Sequence, residues 1–222
     1  DAIDDQKWNK LLWRPGWVNN ESQAYTDRDT NLFIGDGKLV IRGLIEPGYS
    51  GTDYIGTDYN ADFTSGRVNT AGLATWTYGR FDIRAKLPKG NGAWPAIWML
   101  PTDWVYGGWP TSGEIDIMEN RGDEPFKTSS AFHYGTNPPF SHSYVYREQQ
   151  AVHNGSAVNY HDSFHTYAAE WDPDQIRCYV DDVHHWTVRD SDVGGFLSGN
   201  TGNMRLIINT AVGGTFLDNP DG

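Results

Sequence analysis

Three carboxylates within six residues are the first chemical signal in the sequence. In residues 113–120, Glu114, Asp116 and Glu119 alternate with Ile and Met side chains, a pattern that predicts a β-strand. Two carboxylic acids about 5 Å apart can cleave a glycosidic bond with retention of configuration, one as nucleophile and the other as acid and base. Closely packed like charges raise the pKa of one carboxyl group, which then holds a proton near neutral pH. Residues 113–120 are therefore a candidate catalytic strand.

A regular strand would not bring these three carboxylates together. Glu114 and Asp116 share a face, but Glu119, five residues after Glu114, would point to the other face and into an apolar core, at a high cost. A β-bulge at Ile117 or Met118 adds one residue and returns Glu119 to the face of the other two. The glutamate Cα atoms are then roughly 13 Å apart at ~3.3 Å per residue, which lets the carboxyl groups converge to about 5 Å. We therefore predict this bulge.

The surrounding aromatic residues favour a catalytic strand over an exposed acidic strand edge, the alternative interpretation. Trp94 and Trp98 share one face of a predicted strand, Trp109 precedes the acids by five residues, and His133 lies on a following strand. Tryptophan on an open sheet face is a solubility liability unless it binds a ligand. The alternative for Trp94 and Trp98 is a place in an ordinary core between two sheets.

Composition narrows the classes of partner. The 17 basic and 29 acidic side chains give a formal net charge of −12, which disfavours nucleic acid and anionic membranes. No apolar run approaches the roughly 20 residues of a membrane-spanning helix. With 10 Trp, 12 Tyr and 9 Phe, the chain is rich in rings that can stack on a pyranose. The single cysteine, Cys178, cannot form an intrachain disulfide, and its alternation with Ile176 and Val180 predicts a buried thiol.

The elements that must position these residues are strands. Alternating segments bounded by Gly, Pro, Asn and Asp indicate an all-β fold of two packed sheets. The segment 51–59, which contains GTDY twice, is predicted to be a polar surface loop. No linker divides the chain, so residues 1–222 are predicted to form a single domain. The predicted strands are 38–45, 78–87, 94–100, 114–119, 129–134, 166–171, 175–180, 183–188 and 204–212.

Nine segments together resemble the family 16 glycoside hydrolases, and within them the laminarinase-like endo-β-1,3-glucanases. They run in family order, and Met118 gives the acidic segment the E-x-D-x-x-E spacing of laminarinases, whereas the lichenase pattern lacks this residue. The segments are WVNNE (17–21), TSGRV (64–68), YGRF (78–81), GAWPAIWML (92–100), GWP (108–110), GEIDIME (113–119), FHYG (132–135), AEW (169–171) and NTAVGG (209–214).

The resemblance implies a β-jelly-roll sandwich of two antiparallel sheets with a concave substrate groove, and a double displacement that retains configuration. Glu114 would be the nucleophile, Glu119 the acid/base and Asp116 the residue that tunes the nucleophile. Five further residues would bind sugars on the non-reducing side of the cleaved bond and a sixth would lie on the leaving-group side. The five are Asn20, Arg67, Trp94, Trp98 and Trp109, and the sixth is His133.

The resemblance also raises expectations about the two ends of the chain and about metals. Family members begin with a strand before the segment matching residues 1–8 and finish with an apolar strand beyond the segment matching 219–222, and neither strand lies within these residues. We therefore expect an uncovered convex edge near Leu39 and Ile41, and a monomer unless a second chain supplies the missing strands. Some relatives bind a structural calcium through that last strand, so no metal ligand is assigned here. The chemistry itself requires no cofactor.

The leading hypothesis is a secreted, endo-acting retaining glycosidase that cuts internal β-1,3 bonds of a neutral β-glucan. An enzymatic alternative is the same machinery acting on mixed-linkage β-1,3-1,4-glucan or on a galactan, because groove contacts select the substrate. A non-catalytic β-glucan recognition domain on the same fold is the alternative from another class, and the intact pair Glu114 and Glu119 argues against it. A calcium-dependent lectin has less support, because no Asp/Asn cluster with ligand spacing occurs.

Overall fold

The computed structural model of the chain describes residues 2–153 and 155–217, which form strands, a 3₁₀ helix at Asp190–Val193 and a short helix α1 at Phe196–Asn200. No helix in these ranges is long and apolar enough to span a bilayer. The strands are β1 (Asn9–Lys10), β2 (Gln23–Tyr25), β3 (Leu32–Gly35), β4 (Lys38–Ile41), β5 (Leu44–Thr52), β6 (Asp58–Ser65), β7 (Arg67–Asn69), β8 (Gly79–Ala85), β9 (Ala93–Pro101), β10 (Glu114–Glu119), β11 (Thr128–Thr136), β12 (Ser141–Gln149), β13 (Val152–His153), β14 (Ser156–Ala157), β15 (His165–Trp171), β16 (Gln175–Val180), β17 (Val183–Arg189) and β18 (Met204–Val212).

Two antiparallel sheets form the body of the fold, which is an all-β jelly roll as predicted. The larger sheet has the order β1-β7-β18-β9-β10-β11-β12 and the smaller the order β17-β16-β15-β8. Apolar side chains from alternate positions of both sheets form one core, in which Ile97, Ile115 and Phe132 meet Tyr167 and Trp171. The opposite face of the larger sheet is therefore free to carry polar groups.

Three of the predicted strands have the observed first and last residues, and one predicted strand is divided in the structure. Strands β10, β16 and β18 begin and end at the predicted residues. The predicted strand 38–45 is wrong, because it divides into β4 and β5. The Arg42 amide and carbonyl bond to the backbone and side chain of Asn31, at 2.8 and 3.0 Å, and this turns the chain between the two strands. Cys178 is 1% exposed, which confirms the buried thiol.

The segment 51–59 is only partly a loop. Strands β5 and β6 pair up to Thr52 and Asp58, so only the turn between these residues is irregular. Asp53 is buried there and accepts hydrogen bonds from the amides of Ile55 and Thr57 at 3.1 and 2.8 Å. A second departure is that β2 pairs with β6 in parallel, whereas the two main sheets are antiparallel throughout.

Strands β4 and β8 are among those outside the larger sheet that have a partner on one side only within the described ranges. Strand β4 pairs with β3, and β8 pairs with β15. Leu39 and Ile41 on β4 are half-buried. The expectation that a further segment covers this region stays a prediction, because residues 219–222 lie outside the part of the chain that the structure describes.

Candidate active site

A bulge in β10 places the three acids on one face. Asp116 pairs with Trp98 of β9, but the residue preceding Trp98 pairs with Met118, so that Ile117 is an extra residue. The register against β11 shifts at the same place. This confirms the predicted bulge, and Glu119 consequently faces the same side of the sheet as Asp116.

The concave face of the larger sheet forms a groove of about 910 Å³. All three acids line it, and its walls come from strands on both sides of β10. The tryptophans therefore lie in the groove and outside the core between the sheets. Eight of the nine predicted site residues are brought together here: Arg67, Trp94, Trp98, Trp109, Glu114, Asp116, Glu119 and His133.

Asn20 is the exception. Asn19 and Asn20 adopt consecutive left-handed conformations, with φ of 52° and 53°, and only Asn19 lines the groove wall. The Asn19 carbonyl accepts a hydrogen bond from the Thr215 amide at 2.7 Å, which ties this turn to the segment after β18. The sugar contact of Asn20 stays a prediction, and Asn19 beside it is the residue of this turn that lines the groove.

Two indole groups hold the outer carboxylates. Trp109 Nε1 donates to Glu114 Oε2 at 2.7 Å, and Trp94 Nε1 donates to Glu119 Oε1 at 3.0 Å. Both glutamates are half-buried. Each bond occupies one oxygen of its carboxylate, so the other oxygen is available for chemistry in the groove.

Asp116 lies between the glutamates and is 3% exposed. Its Oδ2 is 3.1 Å from His133 Nε2, an ion-pair distance without good hydrogen-bond geometry. The other ring nitrogen of His133, Nδ1, is 2.8 Å from His142 Nε2. One of the two imidazoles must donate in this contact, and the pair links the acids to the solvent side of the groove.

Burial raises the pKa of all three acids. The pKa values of Glu114 and Glu119 rise to about 8 and that of Asp116 to about 7. The charge of Asp116 further raises the pKa of both glutamates, whereas the hydrogen bonds from Trp109 and Trp94 lower them. The site can therefore hold a proton near neutral pH, as acid catalysis requires.

A second set of contacts supports the groove floor on the β9 and β18 side. The Arg67 guanidinium lies 4.7 Å from the Trp98 ring centroid and 4.2 Å from that of Trp13. Trp98 Nε1 donates to Asn209 Oδ1 at 2.7 Å, and the Asn209 amide donates to the Tyr25 hydroxyl at 3.1 Å. These buried polar contacts fix the Trp98 ring at the edge of the acids.

Trp94 is more enclosed than a freely accessible sugar platform. It is 9% exposed, and Phe216 stacks on it with ring centroids 4.8 Å apart. The Arg121 guanidinium in turn lies 4.0 Å from the Phe216 ring centroid. Trp94 therefore acts on Glu119 through its indole nitrogen, and Phe216 presents the ring surface on this side.

Sequence reasoning missed one wall of the groove. It is formed by alternate residues of β12, a strand absent from the predicted set, although the period-two pattern of rings in residues 141–149 was a usable signal. Further lining residues lie in loops and give no pattern in the sequence. The missed lining residues include Trp13, Trp104, Arg121, His142, Tyr144, Tyr146, Glu148, Arg205 and Phe216.

Within residues 2–153 and 155–217, one cluster of three potential metal ligands is present, and it belongs to the groove. Ligand atoms of Glu114, Asp116 and His133 lie within 4.8 Å of one another. No second cluster of three such side chains occurs among the described residues.

Residues 17–221 match the family model of the glycosyl hydrolases family 16. The chain belongs to this family. Its members generally need no cofactor for catalysis, and retention of configuration is general among them. The resemblance drawn from the nine sequence segments is confirmed.

Several characterised proteins are similar over nearly the whole chain. A glucan endo-1,3-beta-glucosidase from Cryptopygus antarcticus is 39% identical over 219 residues, which cover 95% of this chain and 76% of that protein. Glucan endo-1,3-beta-glucosidase A1 from Niallia circulans is 36% identical, over 97% of this chain. A beta-1,3-glucan-binding protein from Penaeus monodon is 32% identical, over 100% of this chain and 74% of its own length. The chain spans only 33% of the Niallia circulans protein.

The fold comparison agrees. The laminarinase catalytic domain from Thermotoga maritima superimposes with a TM-score of 0.83 at 32% identity, covering 100% of this chain and 86% of that domain. The described residues thus have the jelly-roll architecture of a laminarinase catalytic domain.

Proposed function

We propose that this chain hydrolyses internal β-1,3-glucosidic bonds of a neutral, laminarin-type β-glucan with retention of configuration. The observation that carries the proposal is the β10 bulge, which places Glu114, Asp116 and Glu119 together in one groove. Family membership and the endo-1,3-beta-glucosidase activity of the Cryptopygus antarcticus and Niallia circulans relatives support the linkage.

Each acid has a distinct role in this reaction. The free oxygen of Glu114 attacks the anomeric carbon while Glu119 protonates the departing sugar oxygen, forming a covalent glycosyl-enzyme. Glu119 then takes a proton from water, which releases the sugar and regenerates Glu114. Asp116 supplies the negative charge that keeps a proton on its neighbours before substrate binds.

The similarity to a glucan-binding protein from Penaeus monodon makes glucan recognition without cleavage the second candidate. The paired glutamates favour cleavage, because binding alone does not require two buried carboxyl groups with raised pKa values. Mixed-linkage glucanase activity remains the enzymatic alternative, since the acids set the reaction and the groove contacts the linkage.

The test is reducing-sugar release from laminarin, lichenan, agarose and carrageenan, assayed side by side. We expect the highest rate on laminarin, and we expect Glu114→Gln and Glu119→Gln each to lower it at least about a hundredfold, since acid/base catalysis is worth ~10² to 10⁴. The fold and laminari-oligosaccharide binding should be nearly unchanged in both variants. A parent that binds laminarin without cleaving it would establish the recognition function instead.

We further propose that the protein acts outside the cell as a monomer. A polymeric glucan does not cross a membrane, so its endo-hydrolase must meet it outside. Fractionation of the natural host's culture, with activity measured in the medium, tests the location, and light scattering tests the oligomeric state.

A further inference from the structure

The edge strand β12 presents a row of side chains to the groove that the catalytic steps do not use. His142, Tyr144, Tyr146 and Glu148 alternate along the strand and all line the groove. Tyr144 and Tyr146 are each 55% exposed, and their ring centroids are 5.9 Å apart. Two neighbouring exposed rings beside a substrate groove form a candidate binding surface.

Strand register shows where this surface lies relative to the acids. Glu114 pairs with His133 of β11, and His133 pairs with Tyr144 of β12. Two residues further along, Asp116 of β10 and Tyr146 of β12 pair with the same residue of β11. Strand β12 is therefore two strands from β10, roughly 10 Å at ~4.8 Å per strand. It lies on the side opposite β9, which carries Trp98.

Small side chains leave space between the acids and the tyrosines. Ala131 and Ser129 are the β11 residues opposite Asp116 and Glu119, and both line the groove. A sugar ring beside the cleaved bond can lie over these residues. The next ring in the polymer then reaches β12.

We propose that Tyr144 and Tyr146 bind the second and following sugar units on the leaving-group side of the cleaved bond. The proposal rests on the proposed function and on the family resemblance, which implies that Trp98 lies on the non-reducing side. Tyrosine rings offer an apolar face to the pyranose and a hydroxyl to its polar rim. The surface commits to neutral sugars, because Glu148 lines the groove two residues after Tyr146 on the same strand, where its charge would repel a sulfate or carboxylate.

If Tyr144 only held His133 in place, the substrates would respond differently to its removal. Its ring stacks on His133 with centroids 5.4 Å apart at an interplanar angle of 22°, and His133 contacts Asp116. A tyrosine that acts only by holding His133 would affect the cleavage of every substrate equally. A sugar-binding tyrosine affects only substrates that extend to β12.

The experiment compares two substrates that have the same type of sugar units on the non-reducing side of the cleaved bond. Laminarihexaose has several sugar units on the leaving-group side, whereas 4-nitrophenyl β-laminaritrioside has only the aryl group there. For Tyr146→Ala and for Tyr144→Ala/Tyr146→Ala we expect kcat/KM on the hexaose to fall about tenfold or more, the equivalent of one stacking contact of ~1.4 kcal/mol. On the aryl glycoside the value should stay within about twofold. The hexaose cleavage pattern should also shift toward bonds nearer its reducing end.

The control variant is Phe126→Ala, which removes a ring that is 45% exposed and outside the groove. It should leave both substrates unchanged. Parent-like rates of the tyrosine variants on both substrates would overturn the proposal, and so would an equal loss on both, which is the result of a supporting role through His133.

A binding measurement separates this inference from the proposed function. Titration calorimetry of laminarihexaose is performed on Glu114→Gln with and without the tyrosine substitutions. We expect the affinity to fall about tenfold when both rings are removed. If the parent cleaves neither substrate but this loss of affinity occurs, the proposed function alone fails. An unchanged affinity overturns the tyrosine surface whatever the parent cleaves.

Discussion

Glu114 and Glu119 must hold opposite protonation states in a double displacement, although burial raises the pKa of both to about 8. Both groups have neighbours that oppose this rise. His133 and the Trp109 indole lower the pKa of Glu114, and the Trp94 indole, His133 and Arg121 lower that of Glu119. Asp116 raises both values, so the three packed carboxyl groups together keep a proton near neutral pH, and the double displacement uses it on Glu119 while Glu114 is ionised.

The substitution Asp116→Asn should change the pH dependence of activity. The charge of Asp116 raises the pKa of both glutamates, so its removal lowers both values. Activity requires Glu119 protonated and is lost as pH rises past the pKa of that group. We therefore expect the alkaline limb of kcat/KM, near pH 8 in the parent, to move to lower pH by at least about half a unit. Initial rates on laminarihexaose between pH 4 and 10 measure this. A reduced kcat with both limbs in place would contradict it.

The substitution Trp98→Ala should lower activity more than stability. Trp98 is half-buried in the groove, bonded to Asn209 and covered by Arg67. We expect kcat/KM on laminarin to fall more than about tenfold with a modest loss of stability. Trp171, which is 2% exposed in the core, is the matched control, since its replacement by Ala should cost ~3 to 5 kcal/mol of unfolding free energy. Equal destabilisation by the two variants, measured in urea, would place Trp98 in the core instead.

The β10 bulge should be required for activity, because it determines which face of the strand carries Glu119. Exchanging residues 118 and 119, as Met118→Glu/Glu119→Met, turns the carboxylate toward the apolar core. We expect loss of activity to the level of Glu119→Gln and a lower melting temperature. Deleting Met118 instead removes the bulge but keeps the last glutamate on the groove face, four positions after Glu114.

The deletion variant should therefore stay at least about tenfold more active than the exchange variant, despite losing a buried side chain. Activity on laminarin and thermal melting of both proteins are compared at one pH. An active exchange variant would show that parity does not control the placement of Glu119.

For the whole molecule, the raised pKa values predict how stability depends on pH. Between about pH 4.5 and 8 the unfolded carboxyl groups have lost their protons while the folded ones keep them, so stability falls as pH rises through this window. Glu114→Gln and Glu119→Gln remove this penalty. We expect each to raise the melting temperature at pH 8.5 by about 3 °C, the equivalent of roughly 1 kcal/mol, with no gain at pH 4. Glu148→Gln, at the exposed groove edge, is the control and should show no such pH-dependent gain.

Features that follow from local periodicity could be predicted from the sequence. Alternation set the bounds of β10, β16 and β18, and parity along one strand demanded the bulge that unites Asp116 with Glu119. Both are properties of neighbouring residues in one strand, because side chains alternate with a period of two. The catalytic strand could therefore be identified without knowledge of its partners.

The contacts of distant residues around those acids could not be predicted, because the folded sheet brings them together. Trp98 bonds to Asn209, 111 residues away, and Tyr146 reaches the row of Asp116 only through the register of β11 and β12. The left-handed turn that puts Asn19 on the groove wall is likewise held by the Thr215 amide. Register between strands depends on the packing and turns of the whole sheet, and no single segment of sequence contains it.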